Sequence, residues 1–312
     1  MSGEGWCEMF ELDEVWQRPI AVVGAGTMGW KIALQLDAHD AQVRLYDRDR
    51  DVLEHAMAEI AQMGAELALS GELPERASDL SDRVRAVHTL AEAVDGSWYV
   101  VEAIPERMDL KRRLFAELSA SCDPQTILAT NSSSFMSRHL ADVTTSPTRL
   151  MNSHFYNFPW RRSGVELMSC GETTPELLEL VAAFLRRCGL IPVIARAEST
   201  GFVFNRVWHA VKRESLQVVA EGVATPEEVD RLWCLSMEAP LGPFAMMDRV
   251  GLDVVLDIER HYAEMSGDPK DEPPGFLAEM VARGELGRKS GRGFYTYPNP
   301  AWERPGWPRD ER

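Results

Sequence analysis

Apolar and polar positions alternate in short blocks along the first two thirds of the chain. Residues 19–23 form a β-branched run that stops at Gly24, and the glycines at 24, 26 and 29 lead into a helix-compatible segment carrying Ile32, Leu34 and Leu36. A second strand is predicted over 42–46, closing on Asp47, followed by a long helix over 52–69, rich in Ala, Glu, Leu and Met. Residues 71–81 read as a polar break. Strands follow at 84–87, 98–103, 126–130 and 149–154, with helices at 110–119 and 136–141. Strands at 165–168 and 191–195 flank an amphipathic helix over 175–188, whose Pro175 suits a first helical position.

Strands that alternate with helices must be joined by crossovers, so the pattern predicts an α/β, Rossmann-like, mostly parallel doubly wound sheet. From about residue 200 only helical patterns remain, at 202–222, 226–235, 243–264 and 274–283. The expected organisation is an N-terminal extension (1–18), a cofactor-binding domain (19–198), an all-helical C-terminal domain (199–296) and an irregular or loosely docked tail (297–312) dense in Pro and Trp.

With 312 residues, 45% of them hydrophobic, the chain can bury two cores. Its net charge of -16 argues against nucleic acid and anionic membranes as partners. No apolar run is long enough to span a bilayer, and the acidic N-terminus lacks the features of a secretory signal, so a cytoplasmic location is expected. Cys7, Cys122, Cys170, Cys188 and Cys234 are scattered and odd in number, which reads as reduced thiols and no metal site.

Gly24-Ala25-Gly26-Thr27-Met28-Gly29 gains specificity from its setting between a strand and a helix. The first glycine allows a tight turn, the second lets a diphosphate approach the backbone, and the third permits close helix packing. Asp47, 21 residues beyond Gly26, is placed to accept hydrogen bonds from a ribose and would repel a 2′-phosphate. NAD is favoured; Arg48 and Arg50 leave NADP open. The plainer alternative is a glycine turn beside a surface Asp.

Further segments carry a resemblance: VVEAIPERMDLK (100–111), ATNSSS (129–134), HFYNFP (154–159) with VEL (165–167), GFVFNR (201–206), GPFAMMDRVGLD (242–253) and GRKSGRGFYTY (287–297). In order and spacing they resemble the L-3-hydroxyacyl-CoA dehydrogenase family. The resemblance implies a dinucleotide domain, a helical domain through which subunits dimerise, a substrate cleft between the two, and reversible oxidation of a 3-hydroxyacyl thioester.

It further implies roles residue by residue. His154 matches the catalytic histidine and Glu166 the glutamate bonded to it, while Ser133 and Asn205 match residues that bind the reacting oxygen. Thr27, Met28, Glu106, Lys111, Ser133, Asn157 and Lys289 join the three glycines and Asp47 as cofactor contacts. Such a pair suits the chemistry, because imidazole titrates near neutral pH and a carboxylate fixes its tautomer.

The chain departs from the family in three places. Met63 and Ser70 stand where a Ser and a Lys contact the CoA nucleotide, among the acidic Glu59, Glu66, Glu72 and Glu75. After the catalytic segment stand Trp160, Arg161 and Arg162, and the two arginines could grip a substrate carboxylate or phosphate or be solvated loop charges. Trp30 and Lys31 are bulkier than the small residues common after the third glycine. The thioester substrate, on CoA or an acyl carrier protein and within fatty acid or secondary metabolism, therefore competes with a small free hydroxy acid or a polyketide-like ketone. A noncatalytic dinucleotide-binding protein is the reading from another class, and it would need none of the acid-base residues.

Overall fold

The computed structural model describes residues 12–82 and 84–309; the first eleven residues of the expected N-terminal extension, Cys7 among them, lie outside the described residues. The chain divides into two compact units, Met1–Val203 and Phe204–Arg312.

In the first unit α1 (Leu12–Trp16) precedes β1 (Ile20–Val23), α2 (Gly29–Asp37), β2 (Val43–Tyr46), α3 (Arg50–Ser70), β3 (Arg85–Val87), α4 (Leu90–Val94), β4 (Tyr99–Glu102), α5 (Met108–Ser121) and β5 (Ile127–Thr130). Then come β6 (Leu150–Phe155), β7 (Gly164–Ser169), α6 (Pro175–Arg187) and β8 (Ile191–Ala195). The eight strands form one sheet in the order β3-β2-β1-β4-β5-β6-β7-β8. Every neighbouring pair is parallel except β6 and β7.

β1, β4 and β5 are buried along their whole length, which is why they read as unbroken apolar runs. The long helix α3 starts where the Asp49 side chain accepts from the backbone N–H of Asp51 and Val52, and it ends at Gly71 in the left-handed region. The polar break at 71–81 contains more order than its composition suggests. Glu75–Asp82 forms a 3₁₀ helix, and Leu73 and Ala77 are buried in the core beneath α3. Cys122, Cys170, Cys188 and Cys234 are free thiols.

The second unit consists of α7 (Phe204–Ala220), α8 (Pro226–Met237), α9 (Pro243–Val250), α10 (Leu252–Ser266) and α11 (Gly275–Ala282). The single helix expected over 243–264 is two helices, because Gly251 at φ +107 turns the chain between them. The tail is irregular but firmly docked. Tyr297, Trp302 and Trp307 pack against the core built on Leu216 and Phe244. The Tyr297 hydroxyl donates to Asp248 (3.1 Å), and Arg231 donates to the Pro308 carbonyl (2.6 Å) while lying over the Trp307 ring. Proline and tryptophan suggested a loose segment, yet each ring adds apolar area to bury.

Asp230 on α8 organises this unit. Its fully buried carboxylate accepts from the N–H groups of Phe244 and Ala245 and from the Tyr295 hydroxyl, each at 2.8 Å, and so caps α9 from a neighbouring helix. Burial pushes its carboxyl up to about 6, with those three donors pulling the other way. Asp230→Ala would strand two helix N–H groups and a phenol, at a cost of about 3 kcal/mol. Urea unfolding monitored by tryptophan fluorescence checks this; a loss below about 1 kcal/mol contradicts the capping role.

Candidate active site

The loops after β1, β4, β5 and β6 leave the same end of the parallel part of the sheet, where an open α/β sheet offers its crevice. The turn after β1 is packed tightly at its first and third glycines and open at the middle one. Gly24, at φ +104, sits so close to the next loop that a Cβ would lie 2.7 Å from the Ala103 carbonyl carbon, and a Cβ on Gly29 would strike the Gly24 oxygen. At Gly26 a Cβ would meet nothing within 4 Å. Only the middle glycine faces free space, as a turn that admits a diphosphate to its backbone requires. Asp47 supports this turn as well as standing beside it, since Oδ2 accepts from Ala25 N–H (2.8 Å) and Oδ1 from Asp49 N–H (2.9 Å). The residues present fit a dinucleotide.

At the ends of β4 and β5 lies a charged network. Lys111 is 1% exposed, and its ammonium reaches Glu102 (2.7 Å) and Glu106 (3.2 Å). Glu102, wholly buried, also accepts from the Thr130 hydroxyl (2.6 Å) and the Ile104 N–H (2.8 Å). Burial raises its pKa, while Lys111 and the other donors oppose the rise. Glu106 accepts from the Ser132 hydroxyl (2.5 Å) and Ser134 N–H (3.1 Å); burial works against its charge, but Lys111 and these donors hold its pKa below the usual carboxylate range. Lys111 thus supports Glu106 from below rather than presenting itself to a ligand. Ser133, between the two serines that bond Glu106, is half-buried, and its hydroxyl has no partner among the described residues.

His154 and Glu166 face each other across β6 and β7, directly paired in the antiparallel register. His154 Nδ1 is 3.1 Å from Glu166 Oε2, and both side chains are buried. An ionised carboxylate only accepts, so Nδ1 carries the proton and Nε2 is left with its lone pair. Glu166 Oε1 accepts from Val203 N–H (2.9 Å), and the Phe202 ring stacks on the imidazole with centroids 5.1 Å apart.

Asn157, three residues beyond His154, accepts a hydrogen bond from Lys31 Nζ (2.8 Å). Lys31 lies in the first turn of α2, 6% exposed, with the Phe158 ring 4.5 Å and the Trp30 ring 5.1 Å from its nitrogen. Trp160 packs against both rings. Burial lowers the Lys31 pKa, with Glu59 acting in the opposite direction. Of the two arginines beyond, Arg161 makes a two-point contact with Glu72 (2.5 and 2.9 Å), which lowers the Glu72 pKa. Arg162 is exposed. Met63 packs against the core, and Ser70 bonds the Leu67 carbonyl and Glu72.

Asn205 and Lys289 belong to the second unit. Asn205 is half-buried in the first turn of α7, and Lys289 contacts both oxygens of Asp253 (2.5 and 2.6 Å).

The family model for the 3-hydroxyacyl-CoA dehydrogenase NAD binding domain matches residues 19–198, and the model for the C-terminal domain of the same family matches 201–297. The chain belongs to the 3-hydroxyacyl-CoA dehydrogenase family. A probable 3-hydroxybutyryl-CoA dehydrogenase of Bacillus subtilis is 36% identical over 281 residues, covering 90% of this chain and 97% of the relative. The solved (S)-3-hydroxybutyryl-CoA dehydrogenase of Ralstonia eutropha is 32% identical with a TM-score of 0.83, covering 90% and 99% of the two chains. A diketoreductase described as acting on dicarbonyl compounds is 30% identical with a TM-score of 0.80 over the same shares.

Like the family, the chain is an NAD-dependent oxidoreductase with a Rossmann domain and a helical C-terminal domain. Lys31 was conspicuous in the sequence only as a bulky residue after the third glycine. Gly26→Ala keeps the protein as stable as wild type to heat but weakens NADH binding at least about tenfold, or about 1.4 kcal/mol. Fluorescence titration with NADH measures this, and unchanged affinity would remove Gly26 from the cofactor site.

Proposed function

We propose that this family member interconverts a 3-hydroxyacyl thioester and its 3-keto form, with His154 as the acid and base, Glu166 as its partner and Ser133 at the reacting oxygen. The observation that carries the reading is the buried 3.1 Å contact between His154 Nδ1 and Glu166, which leaves Nε2 to exchange the proton. NAD, when bound, supplies the two-electron acceptor. In the oxidative direction His154 Nε2 takes the hydroxyl proton as the carbinol carbon loses hydride, and Glu166 stabilises the imidazolium at Nδ1. In reduction the imidazolium returns that proton, and the Ser133 hydroxyl donates to the oxygen as negative charge builds on it.

Gly24, Gly26, Thr27, Met28 and Gly29 would hold the diphosphate, Asp47 the ribose, and Glu106 and Asn157 further parts of the cofactor. The assignments of Asn205 to substrate and Lys289 to cofactor rest on the resemblance. Exposed Val207, Leu232, Met237 and Val254 on the helical unit support a homodimer. The free thiols suit a cytoplasmic setting, and no helix among the described residues is long and apolar enough to cross a membrane.

His154→Gln lowers kcat for NADH formation from 3-hydroxybutyryl-CoA by about 10³-fold, with NADH affinity intact. Full activity in that variant would remove His154 from the chemistry.

A second reading is favoured by Lys31. Its ammonium is buried at the positive end of a helix, bonded to a neutral amide and with no carboxylate in ion-pair range among the described residues. A small free 3-keto acid would bring the missing negative charge, while Arg161, taken up by Glu72, is the poorer handle. On this reading Lys31→Met cuts kcat/KM for acetoacetate reduction at least about tenfold and leaves acetoacetyl-CoA reduction unchanged, a difference of about 1.4 kcal/mol. Equal effects on both substrates would exclude a carboxylate-binding role.

A further inference from the structure

β6 ends at Phe155 and β7 begins at Gly164, both held in the sheet, so the chain between them is a turn hung from two fixed points. The Phe158 carbonyl closes this turn by accepting from the N–H groups of Arg161 (2.9 Å) and Arg162 (2.8 Å). Phe158 itself stands at φ +60, a left-handed conformation that bulky side chains rarely adopt. Bent in this way, the turn brings Asn157 Oδ1 to 2.8 Å and the Phe158 ring to 4.5 Å from Lys31 Nζ, with Trp160 packed on Trp30. Lys31 is left 6% exposed. A substrate carboxylate cannot reach its ammonium while Asn157 and Phe158 hold these places.

On its outer side the turn is tied to the end of α3. Gly71 closes that helix, the Glu72 N–H donates to the Leu67 carbonyl (3.0 Å), and the Ser70 hydroxyl donates to the Glu72 carboxylate (3.3 Å). Glu72 is therefore a fixed post. The Arg161 guanidinium meets it at two points (2.5 and 2.9 Å) on a side chain that is 66% exposed. We propose that residues 157–162 form a flap over Lys31, latched by the Arg161–Glu72 ion pair, and that a carboxylate-bearing substrate binds Lys31 with the flap displaced.

The energetics of the pair suit a latch. Two N–H···O contacts from one guanidinium fix a single closed position. An exposed ion pair nevertheless contributes little and weakens with salt, so the open state stays within reach. Inside, Lys31 has no carboxylate in ion-pair range among the described residues, and a ligand carboxylate takes the place that Asn157 and Phe158 vacate. Latched and ligated states thus exclude each other, and whatever loosens the latch tightens carboxylate binding. Capture of a carboxylate at Lys31 rests on the free-acid reading; the latch stands without it.

Hydrogen–deuterium exchange of the full-length chain, read by mass spectrometry in peptides covering 156–163, tests the latch. Glu72→Gln should speed exchange there about two- to fivefold, with peptides from β4 and β5 unchanged. Sodium chloride at about 0.5 M should do the same to wild type and add little to the variant. Glu72→Arg should open the turn further, and Glu72→Arg combined with Arg161→Glu should restore the wild-type rate. Exchange within about 1.3-fold of wild type in Glu72→Gln, or no recovery in the charge swap, overturns the proposal. For acetoacetate, KM should fall about two- to fivefold in Glu72→Gln at unchanged kcat, and should not fall when Lys31→Met is also present. If Lys31→Met acts on acetoacetate alone and Glu72→Gln leaves its KM unchanged, the flap does not gate Lys31 and the proposal falls. If Lys31→Met depresses acetoacetate and acetoacetyl-CoA equally, the free-acid reading fails, and the exchange rates still decide the latch.

Discussion

A carboxylate taken almost wholly out of water must be met by donors, and Glu166 is such a carboxylate. Left alone in an apolar interior it would pick up a proton and lose its value as a partner for imidazolium. Much local architecture answers this demand. β7 runs antiparallel to β6 in an otherwise parallel sheet, which brings Glu166 directly across from His154. Gly164 admits Tyr156 from one side. On the other, Phe202 adopts a left-handed backbone conformation, φ +55, next to Val203, whose N–H reaches the carboxylate. A residue other than Gly in that region costs energy, and here the neighbouring N–H and the ring stacked on His154 offset it.

A parallel logic governs the cofactor end. Glu102 on β4 is buried, and Lys111, Thr130 and the Ile104 N–H converge on it. The shared lysine ties Glu102 to Glu106, and Glu106 in turn fixes the serine turn through Ser132 and Ser134. Ser133 is thereby held by its neighbours while its own hydroxyl stays uncommitted among the described residues. Rigid neighbours and a free reacting group are what a preorganised site needs.

The sheet was legible in the sequence because each strand is short, apolar and followed by turn chemistry, and because the glycine turn makes a local demand that only certain residues meet. What escaped was set by contacts between distant segments. Nothing in residues 243–264 except Gly251 marks the break between α9 and α10, and a lone glycine is tolerated in many helices. The short helix α4 did carry a readable signal, the Thr89 to Glu92 capping box. The resemblance implied Lys111 as a cofactor contact; only the fold shows its ammonium bonded to the buried Glu102.

The distribution of charge around the substrate end separates the chemistry of the dyad from the question of what it acts on. The dyad needs only a carbinol or a carbonyl at Nε2. A nucleotide handle needs cations on the outer surface, yet the end of α3 presents Glu72 and commits Arg161 to it. Lys31 is instead held inward, framed by Trp30 and Phe158 and bonded to Asn157 just beyond β6. A buried ammonium without a counter-ion costs more than a solvated one, and a ligand that brings negative charge would recover part of that cost. On the second reading proposed above, selectivity between thioester and free acid would turn on Lys31 and its aromatic frame, at a distance in sequence from the His154–Glu166 pair that both substrates would share.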